Sequence, residues 1–144
     1  ELLAKVWEGK SVLFLAEKGE EIANKSLFNF NKLKKGESWD KAASYHFINN
    51  KQLGKNLIDK ISTWELKNIY PDYTITNLED LYPQTILSGY FSGWIGRVGA
   101  TTLSLNYGKG KIIITTLKLR KNYTVDPIAT ILFNDLVKIL KKEG

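Results

Sequence analysis

The sequence predicts an α/β domain with a mainly parallel central sheet, helices on both faces and an antiparallel hairpin toward the C-terminus. Three observations carry that expectation. Ser11 to Ala16 (Ser-Val-Leu-Phe-Leu-Ala) is a short continuous apolar run, the pattern of a strand buried on both faces of a parallel sheet. Leu2 to Trp7 reads as the end of a helix, with Gly9 where a helix C-terminus favours glycine. Helix, glycine and buried strand together form the αβ half of a βαβ unit. The last third of the chain, Thr101 to Leu140, supplies two apolar strands, a Gly-Lys-Gly turn and an amphipathic helix.

Taken in order, the first elements are the helix at Leu2 to Trp7 and the strand at Ser11 to Ala16. The matching first strand of the βαβ unit is expected before Glu1. From Lys18 to Asn56 the periodicity weakens. Glu20 to Lys25 reads as one or two helical turns, and Phe28, Phe30 and Leu33 form an apolar patch before the polar Lys34–Ser38 break. Ser44 to Ile48 reads as a strand around His46, Asn49-Asn50-Lys51 as a turn, and Leu53 to Ile61 as a short helix or irregular turn. Trp64 to Tyr70 reads as a strand that ends in Pro71-Asp72-Tyr73, a turn by composition.

Thr85 to Ser88 is short and apolar. Ser88 to Gly99 carries four glycines and three aromatics and reads as a flexible, exposed loop. Leu103, Leu105 and Tyr107 then alternate along a strand, Gly108-Lys109-Gly110 reverses the chain, and Lys111 to Leu119 returns. Asp126 caps a helix opened by Pro127, with Ile128, Ile131, Leu132, Leu136, Ile139 and Leu140 along one stripe. No repeat, low-complexity tract or linker interrupts the chain, so residues 1–144 are read as one domain.

Composition narrows the function classes. The chain has 144 residues, enough for a sizeable core. No apolar run approaches the roughly 18 residues of a membrane span, and the first residues lack a signal-peptide pattern. The absence of cysteine removes disulfides, thiolate metal sites and thiol nucleophiles together. The net charge is +6, but only two of the 21 cationic residues are Arg. Arg is the residue that reads phosphate and guanine bidentately, so the excess reads as a lysine-rich solvated surface. Neither nucleic acid nor a membrane is an expected partner. Lys and Ile richness without Cys or Met fits a thermophile.

Few residues are arranged for catalysis. His46 is the only histidine, so a Ser-His-Asp site would need it, with Ser44, Ser88 or Ser92 as nucleophile. The Gly-x-Ser-x-Gly elbow is missing, because Gly89-Tyr90-Phe91-Ser92-Gly93 has the wrong spacing. His46 is read as a structural or surface residue. Glu20-Glu21 and Glu79-Asp80 lack the spacing of a calcium loop, and no metal or cofactor is expected. Gly93, Gly96 and Gly99 do not make a dinucleotide fingerprint. Trp7, Trp39 and Trp64 are expected as buried anchors. Asn24-Lys25-Ser26 and Asn122-Tyr123-Thr124 match the glycosylation sequon, as chance matches in an Asn- and Thr-rich chain. Tyr90, Phe91 and Trp94, on the glycine-rich segment with Arg97, are the candidate contacts: aromatic faces stack on sugars or fill partner pockets.

Residues Tyr107 to Leu119, then Asp126-Pro127-Ile128-Ala129, then Leu132-Phe133-Asn134-Asp135-Leu136 resemble the end of a known accessory domain. It is the glutamine-amidotransferase-like, flavodoxin-like domain appended to family 2 glycoside hydrolases, the relatives of β-galactosidase, β-mannosidase and β-glucuronidase. Trp7 to Leu15 is similar to the helix-Gly-Gly-strand step of that domain. His46-Phe47 and Asn50 to Leu57 lie where it has an aromatic-rich strand and a His-Pro-Leu-x-x-Gly-Leu-like turn, with Gln52 in place of the proline.

The resemblance implies a three-layer, mostly parallel sheet. True amidotransferases of this fold use a Cys-His-Glu triad, so a chain without Cys does not inherit the glutaminase reaction. Glycosidase chemistry needs two carboxylates about 5 Å apart for retention, held in a barrel of about 250 residues. What the resemblance implies is therefore a non-catalytic accessory domain of a multidomain glycoside hydrolase. Its partners would be the catalytic barrel, other domains of the parent or a second subunit, and the cytoplasm is the favoured compartment. The alternative is an independent carbohydrate-binding module that uses the same aromatic segment. A small hydrolase built on His46 and a nucleic-acid binder stand further back.

Overall fold

The computed structural model describes residues 1–18, 28–33, 44–49, 51–55, 57, 60–61, 65–76, 84–92 and 97–141. Among these, the order is α1 (Leu2–Trp7), β1 (Val12–Leu15), β2 (Asn29–Lys32), β3 (Ser44–Ile48), β4 (Lys60–Ile61), β5 (Tyr73–Thr76), β6 (Gln84–Ser92), β7 (Arg97–Tyr107), β8 (Gly110–Thr115), α2 (Leu119–Asn122) and α3 (Pro127–Lys141). The strands form one sheet in the order β1-β8-β7-β6-β3-β4, with β5 joining β7 and β2 joining β5.

This corrects the mainly parallel, flavodoxin-like expectation. Among the described residues only β1 and β8 run parallel; the other pairings are antiparallel. The physical reason lies in the segment read as a loop. Ser88 to Ser92 instead belongs to β6 and Arg97 to Gly99 to β7, and the two strands pair from Gln84↔Leu105 to Ser92↔Arg97. Two glycines of that segment are sites of close approach. A Cβ on Gly89 would collide with the Phe47 ring, and one on Gly99 would lie 2.5 Å from Thr74 Cβ. Glycine in a strand marks backbone crowded by a neighbour as readily as it marks a turn. Tyr73, read as the end of a turn, opens the strand Tyr73–Thr76; Leu66 to Ile69, read within a strand, lies in a turn.

The apolar run of β8 is explained by burial on both faces. Ile112, Ile113 and Ile114 are fully buried, each stabilising the fold by roughly 2 kcal/mol. Ile113 faces one core with Leu13, Leu87, Leu117 and Leu132, the side covered by α3. Ile112 and Ile114 face the other with Val6, Leu103 and Leu105, the side covered by α1. On α3, Ala129, Leu132 and Leu136 are buried. Ile131 departs from the expected stripe and is exposed.

The β7–β8 hairpin turns at Gly108, whose φ of +61° needs glycine, and Lys109 N–H donates to Trp7 O at 2.9 Å. Gly110 packs so closely on the backbone carbonyls of Val6 and Lys10 that no side chain fits. The hairpin is thereby clamped to the α1–β1 connection. Trp7 is 60% exposed, its ring edge-on to Tyr107 at 5.3 Å, which corrects its reading as a buried anchor.

The sheet forks along β7. Its free edge pairs with β8 from Thr102 to Tyr107 and with β5 at Ala100. Between these, Leu87 on β6 and Thr101 on β7 are extra residues in the ladder, one on each strand. The pleat inverts there: Ala100 and Leu103, three residues apart, lie in the same core. Hydroxyls complete the bonding at the fork. Thr101 O accepts Thr116 N–H (2.8 Å), Thr115 Oγ1 (3.1 Å) and Thr116 Oγ1 (3.4 Å). Ser88 and Thr101 hydroxyls pair at 2.8 Å, Thr102 and Thr115 at 2.9 Å.

Candidate functional site

The pleat divides the aromatics of β3 and β6 between two faces. On β3, Tyr45 points to solvent while His46 and Ile48 are buried. Cross-strand register then places Tyr45 beside Phe91, and Phe91 beside Val98, in one row across three strands. Tyr45 is 37% and Val98 50% exposed, and Phe91 is half-buried. The Tyr45 and Phe91 rings lie 5.4 Å apart and only 30° from coplanar. Phe47 continues the same side of the strand, its ring lying over Gly89. Among the described residues the row is a partly exposed apolar strip across β3, β6 and β7.

On the opposite face, His46 sits directly across from Tyr90. Its ring is 5.0 Å from Tyr90 and 5.5 Å from Tyr70, the latter edge-on. Both imidazole nitrogens are buried without a hydrogen-bond partner among the described residues. Burial in this aromatic cage lowers the His46 pKa from 6.5 to about 4, because the charged form loses its hydration.

The four expected contact residues therefore separate. Phe91 is on that strip. Tyr90 is 5% exposed and belongs to the His46 cage. Arg97 pairs with Ser92 at the start of β7, and Trp94 lies outside the described residues. Sequence reasoning missed Tyr45, although the alternation of Tyr45-His46-Phe47-Ile48 about a strand already marked it as outward-facing.

The other chemical candidates find structural places. Ser88 spends its hydroxyl on Thr101, and no Ser–His hydrogen bond occurs among the described residues. Asn122 of the second sequon donates its amide to Asn68 O (2.9 Å) and Lys118 O (2.8 Å), so it ties α2 to the preceding turn. Asn24, Trp39, Trp64, Glu20-Glu21 and Glu79-Asp80 lie outside the described residues. Among the described residues no group of three His, Asp or Glu side chains could hold a metal, and no helix is long and apolar enough to cross a membrane.

Asp126 organises the C-terminal unit. Its Oδ1 accepts Ala129 N–H at 3.0 Å as the N-cap of α3, and its Oδ2 accepts the Asn68 amide at 3.0 Å. Burial alone would raise its pKa. The bonds from Ala129, Asn68 and Ile128 outweigh that and hold the carboxyl below its usual 3.8.

No protein-family model, curated protein or solved structure matches the chain.

Proposed function

We propose that the chain is a non-catalytic accessory domain of a multidomain glycoside hydrolase, and that it packs on a neighbouring domain through the Tyr45–Phe91–Val98 row. The hydrolase context rests on the resemblance of residues 107–136; the flavodoxin-like architecture that came with it does not hold. The interaction reading rests on one observation, the exposed aromatic row across β3, β6 and β7. Exposed, closely packed aromatics are typical anchors of an interface.

A sugar ring is the second reading. The shallow 30° angle between Tyr45 and Phe91 makes a nearly flat platform on which an apolar sugar face could lie.

Two experiments, one for each reading, test the row. In the parent enzyme, Tyr45→Ser with Phe91→Ser is expected to uncouple this domain's calorimetric transition from its neighbour's, giving a separate, earlier melting step. An unchanged transition sinks the packing reading. Shifts of the Tyr45 ring resonances during titration with soluble oligosaccharides, at millimolar concentration, would instead support the platform.

A further inference from the structure

We propose that the cleft between the 51–55 turn and the outer stripe of α3 binds a small organic anion: a phosphate or carboxylate on a sugar-sized body. The site is on the α3 side of the sheet, away from the Tyr45–Phe91 strip, and stands independently of the function proposed above.

The cleft is built by the fold. Leu53 is fully buried and holds the turn in the core. Gly54 has φ +60°, and its N–H donates to Asp135 Oδ2 at 2.9 Å, across 81 residues of chain. Those anchors leave Gln52 and Lys55 facing residues 131, 134, 135, 138 and 139 of α3, one stripe at helical spacing. The cleft is open to solvent on one side, and its volume is about 400 Å³, within the range of small-molecule sites.

Its chemistry is that of an anion with a body. Lys55 and Lys138 place two ammonium groups on the cleft. Among the described residues Asp135 is the one carboxylate lining it, and it is engaged by Gly54 N–H and by Lys138 at 3.5 Å. Two positive charges against one negative leave a net positive cleft. Gln52 and Asn134 add amides able to donate to or accept from hydroxyls. Ile131, 37% exposed, and Ile139 supply an aliphatic wall for a C–H face.

Glucose 6-phosphate, gluconate, glucose and inorganic phosphate are the probes, titrated against the intact protein at low salt and followed by amide resonances of Gly54 and Asn134. Binding of either sugar anion at millimolar concentration, with glucose and phosphate much weaker, is the expected result. Which sugar anion binds tells phosphate from carboxylate. Lys55→Gln and Lys138→Gln are each expected to weaken binding roughly tenfold, and Lys10→Gln, at a distant site, to leave it unchanged. Asp135→Asn keeps an oxygen for Gly54 N–H while removing the negative charge, so it should tighten binding. The proposal is overturned if neither sugar anion shifts these resonances, if phosphate alone binds as tightly, or if Lys10→Gln weakens binding as much as Lys138→Gln. Weaker binding by a folded Asp135→Asn protein would also overturn it.

Discussion

At the scale of single residues, His46 shows how a buried ionisable group ties stability to pH. Its folded-state pKa is about 4 against 6.5 when unhindered. The unfolded chain therefore takes up the proton first as pH falls. Stability is full above the unfolded value, declines between the two, and levels off below the folded one, a loss of about 3 kcal/mol. His46→Leu is expected to flatten that segment of a stability-versus-pH curve from chemical denaturation. An unchanged slope would show that other groups set the acid sensitivity. The His46 burial was legible in Tyr45-His46-Phe47-Ile48, since a strand alternates its faces. Its cage was not, because Tyr70 and Tyr90 are distant in sequence and meet only through the sheet.

At the scale of elements, the C-terminal helix depends on its first residue. Asp126 satisfies the Ala129 N–H and also holds Asn68, joining α3 to the turn at 65–69. Asp126→Ala removes both bonds and should cost about 1–2 kcal/mol in denaturant unfolding; Asp126→Asn, which keeps the cap, should recover most of that. The Asp-Pro start and the Gly-Lys-Gly turn were readable because capping and turn chemistry are local. The β6–β7 pair was not. Its glycines fit a loop by composition, and only the neighbours Phe47 and Thr74 explain why the positions exclude a Cβ. The candidate site was half legible for the same reason: aromatic content marked Phe91, while the ladder that sets Tyr45 beside it is a tertiary fact. The apolar run at Val12–Leu15 predicted a parallel strand, and β1 does pair parallel with β8. It carried no information on how the rest of the sheet runs.

At the scale of the whole molecule, two cores share β8, and the hairpin joins them to α1. Gly110 is the tightest point of that junction. Gly110→Ala would push apart α1 and β8, and we expect it to lower stability by more than about 2 kcal/mol, comparable to an overpacked core. Lys121→Ala, at an exposed position on α2, serves as the control. Native-state hydrogen exchange should find the slowest amides in β7 and β8, buried on both faces, and faster ones in the peripheral β2. Equal protection across the sheet would contradict this hierarchy.

The paired extra residues at Leu87 and Thr101 act like a frameshift in the pleat. Upstream and downstream of them, the same odd and even positions point to opposite sides of the sheet. Which aromatic meets solvent and which enters the core is thus decided by count, not by residue type. If Leu87 paired with Thr102 and Ser88 with Thr101 as ordinary rungs, the ladder would close regularly and its far half would turn over. Phe91 and Tyr90 would exchange sides, and the molecule would present its interior to its partners without a single side chain having been changed.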